Sequence, residues 1–296
     1  MIAVFGPTAS GKTAVAEALA ERIPAELVSA DAMQAYRGLP ILTNQSSAPA
    51  RLVAIWPLDH EGSVGEYAAL AHAAIDEILA LGRTPVVVGG TGLYLRAALA
   101  ELELPRPSGE RARWEAFYDS EGGEAAHARL EELDPAAAAL VHPNDRSRVV
   151  RALELAAAGE SLAPTDDRLW SSATRHPTLV VGLEVPKAEL ERRIEVRTRA
   201  MFEAGVAEEA RRALAGPLSE TARKTLGLEE AATLPPEEAR GAIALRTRRY
   251  AAYQRKWMRR IPGLVSVAAD RPAGEVADEI LEVARARQLL PAAGGR

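Results

Sequence analysis

Near the start of the chain, Gly6-Pro7-Thr8-Ala9-Ser10-Gly11-Lys12-Thr13 has the residue types and spacing to hold a phosphate chain. It is a complete G-x-x-x-x-G-K-[ST] loop, set between an apolar run, Ile2 to Phe5, and a helical pattern over Ala14 to Arg22. The glycines let the backbone curl so that successive N–H groups converge on an anion, and the following helix adds its positive N-terminal end. Lys12 reaches a terminal phosphate, and the Thr13 hydroxyl can ligand Mg²⁺. The chain is expected to bind a di- or triphosphate, with Gly6 through Thr13 as the cradle.

Three further groups suggest chemistry. Asp31 ends the apolar run Glu26-Leu27-Val28-Ser29. It can cap the segment that follows, or serve beside a phosphate loop as a Mg²⁺ ligand or a general base. Thr91, in Gly89-Gly90-Thr91-Gly92, reads by itself as a turn hydroxyl satisfying the backbone. On a helix from Leu190 to Met201, Arg197 falls within the apolar stripe of Leu190, Ile194 and Met201, with Arg193 at its edge. An arginine facing inward needs a partner, either a diphosphate that suits its fork or a buried carboxylate. From Arg246 to Arg260, seven of fifteen residues are basic and none is acidic. Arg246, Arg249, Tyr253, Lys256 and Arg260 share one side of that helix, and Arg248, Arg255 and Arg259 share nearly the opposite side. With no acid in the stretch to neutralise it, the Arg246, Arg249 and Lys256 face is expected to meet nucleic-acid phosphates rather than only water.

These residues need a frame. Three segments share one design, an apolar strand followed by a small or polar turn and then a helical pattern: Ile2–Phe5 with the phosphate loop, Glu26–Ser29 with Ala30–Gln34, and Pro85–Val88 with Gly89–Tyr94. A long Ala-rich helix is expected over Gly65–Leu81. Strands that alternate with helices imply an α/β fold with a parallel sheet covered on both faces, and ligands bind outside the carboxyl ends of such strands. That rule places Gly11, Lys12, Thr13, Asp31 and Thr91 around one crevice. The character changes near Pro105. Residues 105–174 are rich in Ala, Glu and Arg, with breaks at Gly122-Gly123, Pro135, Pro143 and Gly159, and are expected to form an inserted helical subdomain. Thr178–Leu183 should return to the sheet, so the core is discontinuous, 1–104 and 175–290. Helical patterns then run over Lys187–Leu214, Pro236–Arg260 and Ala273–Gln288, before a tail at 291–296 that should be disordered.

Composition limits the alternatives. The 296 residues are 48% hydrophobic, enough for a sizeable core. There is no cysteine, which excludes disulfides, thiolate zinc sites and cysteine nucleophiles, and the five histidines show no metal-ligand spacing. No apolar run approaches the roughly 20 residues that span a bilayer. Because the first residues enter a core strand, no leader peptide is expected and the expected location is the cytoplasm. The net charge of −5 argues against a general polyanion binder and leaves nucleic-acid binding to the local basic helix.

Taken together and in order, these segments resemble the tRNA dimethylallyltransferase family over nearly the whole chain. The phosphate loop GPTASGKT stands as the family has it. Its SADSMQVYRG segment appears as Ser29-Ala30-Asp31-Ala32-Met33-Gln34-Ala35-Tyr36-Arg37-Gly38, and GGTGLY as Gly89–Tyr94. HPND…R…RALE runs from His142 through Arg148 and Arg151 to Glu154. The arginine helix matches at Arg193, Arg197, Met201 and Gly205, and TRxYAxxQxxW spans Thr247–Trp257. The chain departs from the family at Leu39–Gln45, in the reduced Ala50–Ala54 stretch, and at Gly227-Leu228-Glu229-Glu230, where Tyr and Lys are missing.

The resemblance implies a P-loop NTPase-like fold whose loop holds dimethylallyl diphosphate rather than ATP, with Mg²⁺ at Thr13 and Asp31. It implies transfer of the dimethylallyl group to the exocyclic amine of the adenine 3′-adjacent to the anticodon. Asp31, Thr91 and Arg197 would be the catalytic residues. Asp31, Ala32, Met33, Gln34, Thr91, Arg111, Ser147, Arg148, Val149, Val150 and Arg151 would contact the tRNA, with the helical subdomain on the anticodon stem-loop. The partners would be tRNA and the prenyl diphosphate, with no membrane, and the protein would be a monomer. A phosphate-loop kinase of nucleotides or small metabolites, a prenyltransferase acting on free adenine nucleotides, and a non-catalytic RNA-binding protein are the other readings.

Overall fold

The computed structural model describes residues 1–102, 109–163 and 168–290, so the expected tail at 291–296 and the expected boundary at 104 and 105 lie outside the described residues. Six parallel strands form one sheet: β1 (Ile2–Phe5), β2 (Ala25–Ser29), β3 (Ala50–Arg51), β4 (Thr84–Gly89), β5 (Leu179–Glu184) and β6 (Val265–Ala268). Their order is β3-β2-β4-β1-β5-β6. The central strands are apolar without alternation because both faces are covered. In β1, Ile2 and Val4 point to one face, packing with Val15, Leu19, Ile280 and Leu281 of the helices Lys12–Arg22 and Ala273–Ala286. Ala3 and Phe5 point to the other, among Tyr67, Ile75, Ile78, Leu95 and Leu99 of the helices Val64–Ala80 and Gly92–Leu99. A period of two thus divides one strand between two cores.

The register positions the site. Phe5 lies opposite Gly89 of β4 and Gly182 of β5, and Ser29 of β2 lies opposite Val88. The segments that follow β1, β2 and β4 therefore leave the same carboxyl edge together. Close approach is enforced at Gly89, where a methyl group would collide with the backbone of Ala30.

Two strands were not expected. β3 has two residues and β6 has four, and both sit at sheet edges, so neither is long enough to carry a legible pattern. The pattern over Lys187–Leu214 is two helices, Lys187–Glu203 and Val206–Leu214, broken at Gly205, whose φ of 92° is a left-handed conformation suited to glycine. The basic stretch belongs to one long helix, Pro236–Met258.

The chain divides into two compact units, one of Met1–Leu102 with Leu169–Arg296 and one of Glu103–Arg168. The described elements within the second are the helices Arg111–Glu121, Gly123–Leu133, Pro135–Ala138 and Arg146–Ala157. Asp134 and Asp145 cap the last two by accepting from the N–H groups of Ala137 and Arg148. Trp114, Leu130, Val149, Val150 and Leu153 form its core.

Candidate active site

A cavity of about 600 Å³ opens at the carboxyl edge of the sheet, and every residue lining it belongs to the first unit. One wall is the phosphate loop. Gly11 takes φ 90° at the helix start and Ala9 takes φ 63°, which turns the loop backbone around the space. Thr8, Ala9, Gly11, Lys12 and Thr13 line the cavity. Gly6, Pro7 and Ser10 support the loop from behind: the Pro7 carbonyl accepts from Lys12 Nζ at 2.9 Å and from the Ser10 N–H at 3.1 Å.

The charges here are cationic and unneutralised. Arg197 reaches the loop from its helix, its Nη1 donating to Thr8 Oγ1 at 2.8 Å, and it forms no ion pair among the described residues. The buried-carboxylate alternative for Arg197 is thus not what the fold provides. Burial pulls the Lys12 ammonium from its ordinary 10.5 down to about 8, an effect that Asp31 opposes and Arg197 reinforces. Burial also lowers the Arg197 guanidinium, against the pull of Asp31. Two desolvated cations beside a loop of N–H groups call for an anion. Arg193 lines the same cavity, but its Nε donates to Glu189 at 2.7 Å, so its charge is already matched.

The other wall carries Asp31, Met33, Gln34 and Tyr250. Asp31 Oδ1 accepts from the Met33 N–H at 3.1 Å, and Asp31 lines the cavity. Gln34 is fixed by Ser29 Oγ at 3.1 Å and by the Thr43 and Asn44 carbonyls. Ala32 is buried, so it orders the segment and offers no side chain to a partner. Thr91 does not line the cavity. Its Oγ1 accepts from the Ala32 N–H at 3.2 Å, tying the turn after β4 to the segment after β2. Burial pushes the Tyr250 phenol up to about 12, with Asp31 adding to the shift, while its hydrogen bond with Thr91 opposes it. Tyr250 therefore stays protonated beside a carboxylate at neutral pH.

Sequence reasoning missed Tyr250 and Gln254 as site residues. Gln254 Oε1 accepts from the Thr8 N–H at 2.7 Å and its Nε2 donates to the Gly90 carbonyl at 2.8 Å. The available signal was their place on the inward face of the basic helix, at i and i+4. The departure at Leu39–Gln45 forms a helical turn held by a buried carboxylate: Glu209 accepts from the N–H groups of Ile41 and Leu42 at 2.9 and 2.8 Å.

The basic helix needs a correction. No acid lies in its own sequence, yet Arg246 is paired with Glu230 and Arg248 with Glu195, both from other helices. Arg260 stacks on Trp170 at 3.8 Å, and Trp170 packs against Trp257. Arg249 and Lys256 are exposed and carry no ion pair among the described residues, so the unpaired charge of that face is theirs together with that of the Trp170-stacked Arg260. In the second unit, Arg111 is paired with Glu115 at 3.0 Å, Arg148 with Asp145 at 3.6 Å and Arg151 with Glu154 at 2.7 Å. Val149 and Val150 are fully buried in that unit's core, so neither side chain is available to tRNA. Ser147 and Arg148 are exposed.

Thr13 and Asp31 bring hydroxyl and carboxylate oxygens to one cavity, a hard donor set of the kind Mg²⁺ takes when substrate phosphates complete its shell. Among the described residues no group of three or more acidic or histidine side chains is placed to hold a metal ion, so substrate oxygens and water would have to supply the remaining ligands.

A parallel sheet flanked by helices, with this loop at its carboxyl edge, defines a P-loop NTPase-like protein whose cradle faces a carboxylate across a cavity. The profile of the IPP transferase family matches residues 34–261, and that of isopentenyl transferase matches residues 1–51. The chain belongs to the IPP transferase family. It is 43% identical to the tRNA dimethylallyltransferase of Anaeromyxobacter dehalogenans (strain 2CP-C), covering 90% of this chain and 94% of that protein. It is 39% identical to the tRNA dimethylallyltransferase of Thermobifida fusca, covering 92% and 91%. Among solved structures, the full-length tRNA isopentenylpyrophosphate transferase of Bacillus halodurans superimposes with a TM-score of 0.69 at 31% identity, covering 97% of each chain.

Proposed function

We propose that this protein is a tRNA prenyltransferase that moves a dimethylallyl group from dimethylallyl diphosphate to the exocyclic amine of the adenine 3′-adjacent to the anticodon, releasing diphosphate. The observation that carries this reading is the polarity of the cavity, with unmatched cations and loop N–H groups at one wall and a carboxylate with a protonated phenol at the other. An allylic diphosphate reacts as its leaving group gains charge, and Lys12, Arg197 and the loop N–H groups stabilise that charge. The adenine amine is a poor nucleophile because its lone pair is delocalised, and Asp31 Oδ2 accepts its proton as the new C–N bond forms and the C–O bond to diphosphate breaks. Thr13 and Asp31 would hold Mg²⁺, the latter through water, and the ion would add charge neutralisation at the departing diphosphate.

The acceptor base must leave the anticodon-loop stack to reach Asp31. Arg249 and Lys256 on the first unit, and Ser147, Arg148 and Arg151 on the second, are our candidates for phosphate contacts. Every residue assigned to the chemistry lies in the first unit, and we propose that the enzyme acts as a monomer. The test is incubation with unmodified tRNA, Mg²⁺ and dimethylallyl diphosphate, followed by nucleoside mass analysis. A prenylated adenosine is expected. Its absence, with ATP consumed in a parallel reaction on a small acceptor, would replace this reading with a kinase. Modification of AMP in preference to tRNA would place the enzyme among those acting on free nucleotides.

A further inference from the structure

Gln254 is 2% exposed and sits within a helix whose outward face is basic. A buried amide must have its donor and acceptor satisfied, and here both partners lie on loops of the active site. Oε1 accepts from Thr8 at 2.7 Å and Nε2 donates to Gly90 at 2.8 Å. These loops leave the neighbouring strands β1 and β4. Thr8 belongs to the cation-rich wall, where its hydroxyl accepts from Arg197. Gly90 precedes Thr91, whose hydroxyl orders Ala32 next to Asp31. One planar group thus joins the backbone of the phosphate loop to the turn that sets the carboxylate. The turn is also shaped around it, since a methyl group at Gly90 would collide with Gln254 Nε2.

We propose that Gln254 is a positioning residue for the transfer: through Thr8 and Gly90 it sets the separation between the diphosphate-holding loop and the segment that carries Asp31. The inference rests on the prenyl-transfer reading above and names a residue which that reading does not use. Displacement at the allylic carbon requires the amine and the departing oxygen to lie on opposite sides of that carbon, so the two walls must hold their spacing. A misplacement of about 1 Å in such a geometry costs on the order of 10²-fold in rate.

Gln254→Met keeps length and volume and removes both hydrogen bonds. We expect kcat to fall by about 30- to 100-fold at saturating substrates, while the calorimetric Kd for dimethylallyl diphosphate and the KM for tRNA stay within about threefold. Gln254→Asn keeps the amide but is one methylene too short to span both partners, and it should fail to rescue kcat. An unchanged kcat in either variant overturns the proposal. So does a retained kcat with donor affinity lost, which would make Gln254 part of the donor site. Should Gln254→Met not fold, Gly90→Ala reaches the same contact from the other side. It should lower kcat in the native background and add nothing in the Gln254→Asn background, whereas additive losses overturn the proposal. Wild-type protein that fails to prenylate tRNA counts against the proposed function, and the ratio of variant to wild-type turnover judges Gln254.

Discussion

The two walls of the cavity are built on opposite principles. At the phosphate loop, Lys12 and Arg197 are desolvated, lack a carboxylate partner and are held by neutral groups, Pro7 and Thr8. At the facing wall, Asp31 and Gln34 are tied to the backbone of Met33 and Thr43, and Thr91, outside the cavity lining, holds the Ala32 N–H between them. The first wall keeps electrostatic energy in reserve for an anion; the second is ordered before any ligand arrives. The difference indicates which wall supplies binding and which supplies alignment; three measurements bear on it, and a fourth probes the surface beyond both walls.

The largest effect should come from Asp31. Asp31→Asn is expected to lower kcat by about 10²–10⁴ while leaving dimethylallyl diphosphate affinity nearly unchanged. Near-native turnover would remove Asp31 from the mechanism and erase the division between the walls. Next come Lys12→Ala and Arg197→Ala, each removing a charge-assisted bond to the leaving group worth about 1.5–3 kcal/mol. Calorimetry should show the weakened donor binding directly. Arg197→Lys should not restore it, because an ammonium cannot make the forked contact. Normal donor binding by Arg197→Ala would reduce that arginine to a support for Thr8.

A third measurement sharpens the electrostatic contrast. Lys12 is held at about 8 in the free protein, and a bound diphosphate favours its charged form. Above pH 8, binding must therefore take up a proton, and donor affinity should fall as pH rises from about 8 toward 10.5, by up to about tenfold per pH unit. In the same window the unfolded chain binds more protons than the folded one, so the stability of the free protein should rise with pH. Calorimetry at pH 9 in buffers of different ionisation enthalpy should detect roughly one proton taken up. Uptake that persists in Lys12→Ala would assign the proton elsewhere.

The smallest effect concerns a surface outside both walls. Replacing Arg249 and Lys256 with Gln should flatten the salt dependence of tRNA binding by roughly one to two units in log–log slope and leave donor affinity unchanged. Arg248 and Arg255 on the opposite row serve as the control, Arg248 being already paired with Glu195. If only the control row alters the slope, the tRNA lies on the other side of the helix.

The legible parts of this protein are those whose chemistry is consecutive in the chain. The phosphate loop, the position of Asp31 at the end of β2 and the inward angle of Arg197 follow from local spacing, and so do the four strands long enough to show an apolar run. β3 and β6 escaped because two and four residues at a sheet edge carry no period. The charge of the basic helix was misjudged for a related reason: the acids that neutralise Arg246 and Arg248 come from the helices holding Glu230 and Glu195, and a stretch read alone cannot show them.

By itself the sequence determined which anion-binding loop this protein has, that a parallel sheet presents it, and which carboxylate follows a second strand of that sheet. Only the tertiary structure decided which side chains hold those parts in register. Thr8 and Gln254 are 246 positions apart, and Gly90 is 164 positions from Gln254. Val149 and Val150 turned inward because the second unit needed a core, whatever motif they belong to. Local spacing is fixed by helix and strand geometry, which a sequence displays, whereas contacts between distant segments depend on how whole elements pack, which it does not.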